Sequence, residues 1–151
     1  MEEMTSWNLV ETEDDIELLL RIYHRFHDAC IVSASYQSGT TVDHDGTMHY
    51  PSASGHNMTI FFQSQMALRT LELQFSGVRV AHLIGWDDNR FCEIFDATLS
   101  FAEGLLPGKP ERLIAWASCS EFDFKQLHNP LHEPASYIIA NKLKWRFVQQ
   151  D

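Results

Sequence analysis

A chain of 151 residues, 44% hydrophobic and 21% charged, has the size and composition of one compact domain with an apolar core, so a single domain over 1–151 is expected. Its formal net charge of −10, from 11 basic and 21 acidic residues, disfavours nucleic acid and anionic membrane as partners and favours a basic protein. No basic and apolar leader opens the sequence, no apolar run approaches the ~20 residues of a membrane helix, and the three cysteines lack CxxC spacing, so a cytoplasmic protein is expected.

Acids crowd the start. Glu2, Glu3, Glu11, Glu13, Asp14, Asp15 and Glu17 all precede the first basic residue, Arg21. Thr12 followed three residues later by Asp15 resembles a capping box and opens a helix predicted over 13–27. Ile16, Leu19, Leu20, Tyr23, Phe26 and His27 share one face of it at 3.6-residue spacing. Beyond this helix the pattern is of strands. "CIVSASYQS" (30–38) is rich in small and β-branched residues, and a polar loop follows over 39–56. "NMTIFFQSQ" (57–65) alternates, and 70–85 is predicted as a hairpin turning at Ser76-Gly77. Its first arm places Leu71, Leu73 and Phe75 on one face, and its second places Val78, Val80, His82 and Ile84 on one face.

"GWDDNR" reads as a turn, and 91–104 as a strand with Phe95, Ala97, Leu99 and Phe101 together. "LIAWASCS" (113–120) turns Leu113, Ala115, Ala117 and Cys119 inward. After a second loop over 120–135, the last strand (137–148) sets Tyr137, Ile139, Leu143, Trp145 and Phe147 against Lys142, Lys144 and Arg146. That basic stripe is expected to face acids on a neighbouring strand. One helix and about seven strands, with no second helix for a parallel crossover, give an α+β fold: an N-terminal helix packed on a mainly antiparallel sheet. A curled or barrel-like sheet is the alternative.

Chemistry is harder to place. No nucleophile motif, phosphate loop or HExxH spacing occurs, so no catalytic residue and no cofactor are assigned. A metal-binding module or metal-dependent hydrolase is one alternative, with His24 and His27 joined by His44 and His49 of the 43–56 loop. Against it stands a structural reading, in which Phe26, His27 and Asp28 fix the corner where helix becomes strand. A small-ligand site inside a curved sheet is a further alternative. Aromatic residues beside acids in turns and terminal segments suit a protein interface. The partner-binding candidates are Trp7, Glu13, Asp14, Asp15, Tyr50, Trp86, Asp87, Asp88 and Phe122. The sequence sets no oligomeric state.

The order of acidic helix, "FHDACI" opening a strand, long polar loop, "CEIFDATLSF" and closing "ANKLKWRF" resembles the immunity protein 50-like group of bacterial polymorphic-toxin loci. The likeness spans nearly the whole chain, through short motifs that mark structure more than chemistry. It implies a non-enzymatic protein that binds and neutralises a cognate toxin, with Phe26-His27-Asp28 as a structural signature. An acidic surface is compatible with a basic toxin as that partner.

Overall fold

The helix begins where the capping pattern predicts, in a computed structural model that describes residues 5–52, 55–85, 93–108, 110–127 and 135–149. Asp15 N–H donates to Thr12 Oγ1, and the Asp15 carboxylate accepts the N–H groups of Thr12 and Glu11. The Glu11 N–H leads in holding that carboxyl below its usual range. Strand β1 (Asn8–Val10) precedes helix α1 (Glu13–Ile22).

The helix stops five residues before the predicted end at 27. Tyr23 closes it, and His24, Arg25 and Phe26 follow at φ of 51, 55 and 63°, a single left-handed turn. Left-handed backbone disfavours L-residues by roughly 1–2 kcal/mol each. Burial of Phe26 offsets that cost, because its ring lies 5.1 Å from Phe62 and 5.7 Å from Trp116, edge-on to both. The turn drops the chain directly into β2 (Ala29–Gln37).

Seven strands form one antiparallel sheet. Beyond β2 come the short hairpin β3 (Thr41–Val42) and β4 (Met48–His49), then β5 (Asn57–Ser64), β6 (Thr70–His82), β7 (Thr98–Glu103), β8 (Arg112–Ala117) and β9 (Tyr137–Val148). The large sheet runs β2-β5-β6-β9-β8-β7, with β1 added beside β9, while β3 and β4 pair apart from it. The sheet is open, with β2 and β7 at its ends, so the α+β expectation is met and the barrel alternative is not.

Residues 70–82 are one strand, not the predicted hairpin. Ser76 pairs with Lys142 and Val78 with Ala140, so Gly77 lies inside the ladder at φ 66°. The 12-residue β9 offers partners along the whole of β6, and the Ser-Gly pair serves a kink in place of a turn. Arg79 is an extra residue between Val78 and Val80, a bulge that reverses the facing of the residues beyond it. Val78 therefore stays with the core under α1, whereas Val80 joins the core on the opposite face. Strand β9 switches with it: Leu143, Trp145 and Phe147 face the helix, and Tyr137 and Ile139 face away. The two predicted one-face sets are thus each split.

The helix-side core joins Ile16, Leu19 and Leu20 of α1 to Ile60, Phe62, Leu73, Phe75 and Trp116 of the sheet. Across the sheet, Leu113, Ala115, Ala117 and Ile139 meet Phe122, Phe124 and Ala135. Strand β8 is buried on both faces, which explains its unbroken apolar run. Phe95 departs from the predicted set: Ala97 and Leu99 are buried, but Phe95 is 69% exposed because the strand begins only at Thr98. Among the described residues no helix is long and apolar enough to cross a membrane.

Candidate functional site

The helix-to-strand corner is tied to two other segments by backbone bonds. Asp28 N–H donates to the Ile94 carbonyl and Ile94 N–H to the Ala29 carbonyl, both at 2.8 Å. Ala97 N–H donates to the Arg25 carbonyl at 2.9 Å, and Gln65 N–H to the Asp28 carbonyl at 3.0 Å. His27 adds a side-chain tie, with Nδ1 2.6 Å from the Phe95 carbonyl oxygen. A carbonyl only accepts, so Nδ1 carries the proton, and Nε2 lies 3.4 Å from the Asp28 carboxylate. The Phe95 carbonyl, and then Asp28, Asp96 and Glu93, raise the His27 pKa above its usual value against a smaller opposing effect of burial. Phe26, His27 and Asp28 therefore meet in one place, where each holds the chain path.

The metal candidates do not gather in the same way. His24 lies in the left-handed turn and is exposed, so it shares no regular helical face with His27. His49 Nε2 lies 2.7 Å from Asp43 Oδ2, and Asp43 Oδ1 accepts the N–H groups of Asp45 and Thr47. Hydrogen bonds from Asp45 and His49 hold the Asp43 carboxyl down at about 2. These contacts close the β3–β4 hairpin, on which His44 is exposed. Among the described residues, no three His, Cys, Asp or Glu side chains converge on a metal-sized site.

The partner-binding candidates separate by position. Glu13 and Asp14 are exposed in the first turn of α1, whereas Asp15 turns back into the cap. Tyr50 is 76% exposed beside the β3–β4 hairpin. Trp7 is half-buried over the basic stripe, its ring 4.4 Å from Lys144 Nζ and 4.2 Å from the Arg146 guanidinium carbon. Phe122 is a correction: it is buried against Phe124 and Tyr137 and offers no exposed ring. Its neighbour Asp123, which caps the Phe124–Gln126 turn, was the sequence signal for a folded loop. Trp86, Asp87 and Asp88 lie outside the described residues.

Charge is partitioned unevenly. Arg69 lies over Phe147 and Arg112 over Phe101, while Arg79 pairs with Glu111 at 2.8 Å and Arg146 with Glu72 at 2.7 Å. Glu72 is the registered neighbour of Arg146, so this end of the basic stripe faces an acid as expected, although Lys144 and Lys142 face Gln74 and Ser76. Glu13, Asp14 and Glu17, by contrast, are exposed and make no ion pair with a described residue. The sequence reading missed a groove of about 430 Å³ along β6, lined by Tyr36, Met58, Val78, Arg79, Val80, Ala81 and Leu83. No family model, curated protein or solved structure matches this chain.

Proposed function

We propose that this chain is a non-enzymatic, acidic binding protein of the bacterial cytoplasm, of the immunity type, that holds and neutralises a basic toxin. What supports the reading is the uneven use of charge. Several cations are held against aromatic rings or carboxylates, while Glu13, Asp14 and Glu17 project from the start of α1 into solvent. A concentration of exposed carboxylates steers a basic partner to that end and speeds association, an effect that salt weakens over a Debye length of about 8 Å. The helix offers these charges on a rigid support, because the Thr12–Asp15 cap and the buried Ile16, Leu19 and Leu20 fix it to the sheet.

The test is co-expression with the product of the neighbouring gene. A growth defect caused by that product alone, relieved by this chain through a stoichiometric complex, is the expected result. A neighbour that is harmless and forms no complex contradicts the proposal.

A further inference from the structure

Strand β2 lies at one end of the sheet and pairs on one side with β5. On its outer side Ile94 bridges Ala29, and no described residue pairs with that edge over 31–37. Open edges are usually guarded against another chain by charge, proline or a covering element. At the far end of the sheet, β7 carries Glu103 and packs against α1. Strand β2 reads "ACIVSASYQ", with no charged residue, proline or glycine. A bulge between Ile31 and Ser33 bends one end of it, and residues 32–37 are exposed whichever face they take.

We infer that this edge takes the same edge of a second copy, antiparallel, about a two-fold axis at Ala34. Ala34 is the midpoint of 31–37, so this register uses the whole open edge. It sets Ile31 opposite Gln37, Val32 opposite Tyr36, Ser33 opposite Ser35 and Ala34 opposite itself. Ala34 and Tyr36 lie beside Ile60 and Met58 on the helix side, and Ser33 and Ser35 lie beside Phe61 and Thr59 on the other. Val32, 51% exposed, and Tyr36, 52% exposed, then cover each other twice across the axis, while the serine hydroxyls pair on the opposite face. This self-match selects a second copy over an arbitrary strand. Charge selects it too: a net −10 opposes self-association through most surfaces, but here no charges are brought together. A ribbon of this length buries about 1,000 Å² at most, the lower bound of a specific interface. A reversible dimer follows, with a Kd on the order of 10–100 μM. Helix α1 packs against β1 and β7, away from β2, so its acids stay free in the dimer and the two surfaces are tested separately.

Sedimentation velocity of the whole chain, from about 1 μM to about 1 mM, should show a monomer passing to a dimer and stopping there. Ala34→Lys opposes two ammonium groups at the axis and should abolish the dimer, with the melting temperature of the dilute monomer unchanged. Under mild oxidation Ala34→Cys should cross-link to itself about tenfold faster than Ser33→Cys or Ser35→Cys alone, since directly opposed Cα atoms lie about 4.5–5.5 Å apart, within disulfide reach. Mixed Ser33→Cys and Ser35→Cys chains should cross-link to each other, and the unsubstituted chain is the blank for its own cysteines. A chain that stays monomeric to about 1 mM overturns the inference and leaves the edge to a strand of another protein. A dimer that survives Ala34→Lys overturns it, since another surface then makes the contact. So does Ser35→Cys cross-linking to itself faster than Ala34→Cys, which puts the axis elsewhere. Slow hydrogen exchange of the outward amides of 31–37 in the dilute monomer also overturns it, because the chain then covers its own edge.

Discussion

Replacing Arg25 by glycine and, separately, by alanine reads the handedness of the backbone directly. Arg25 has φ 55° and ψ 26°, and its side chain is exposed, so both variants remove the same solvent-facing group. Its carbonyl still accepts from Ala97 N–H in either variant. In left-handed backbone alanine carries a penalty of roughly 1–2 kcal/mol that glycine avoids, against about 0.5–1 kcal/mol for the extra freedom of glycine in the unfolded chain. Arg25→Gly should therefore be more stable than Arg25→Ala by about 1 kcal/mol. Had the helix run to residue 27, as the apolar spacing alone predicts, the order would reverse, because glycine in a right-handed helix costs about 1 kcal/mol relative to alanine. The two accounts differ by about 2 kcal/mol and in sign. Urea denaturation at constant m-value measures it, and in the melting temperature of a chain this size the predicted step is about 2–4 °C. An alanine variant more stable than the glycine variant refutes the left-handed corner.

Trp116 is fully buried between Phe26 and Phe62, and its Nε1 has no described partner. Trp116→Ala should cost about 3–5 kcal/mol in urea denaturation, and Trp116→Phe markedly less, because no hydrogen bond is lost with the indole N–H. His27 yields a pH prediction. Its folded pKa is raised, chiefly by the Phe95 carbonyl and then by Asp28, so the stabilisation is full below the unfolded value near 6.5 and is lost as pH rises through the folded value. An NMR titration of the His27 ring should give a midpoint above 6.5 that falls in Asp28→Asn; an unchanged midpoint in that variant removes Asp28 from the corner's electrostatics.

Local chemistry made the start of α1 and the alternation in β5 legible, whereas the alternation in β9 held only from Leu143 onward. Thr12 and Asp15 act within one turn, and Met58, Ile60 and Phe62 face the core as their spacing says. The end of α1 was not legible in the same way. Tyr23 and Phe26 are three residues apart, a spacing that reports a shared face but not the hand of the turn between them, which Phe62 and Trp116 settle from far along the chain. Ser76-Gly77 looked like a turn because its local preference is for one, yet the length of β9 decides its place inside a strand. The same mismatch in strand length creates the β6 groove, which no single stretch of sequence encodes. Phe122 failed as an exposed anchor because its burial depends on Tyr137 and Phe124 folding over β8. The exposed acids of α1 were legible, since Glu13, Asp14 and Glu17 fall off the apolar stripe that the helix buries.

The binding account rests on those acids, and a calorimetric titration of the complex over a range of salt tests it most directly. The variant Glu13→Gln, Asp14→Asn and Glu17→Gln leaves Asp15, and with it the capping box, untouched. Losing three exposed charges that face a basic partner should weaken binding by on the order of 1–2 kcal/mol, about tenfold or somewhat more. The account predicts that loss together with a flatter dependence of Kd on salt. An unchanged Kd with an unchanged salt dependence would contradict it.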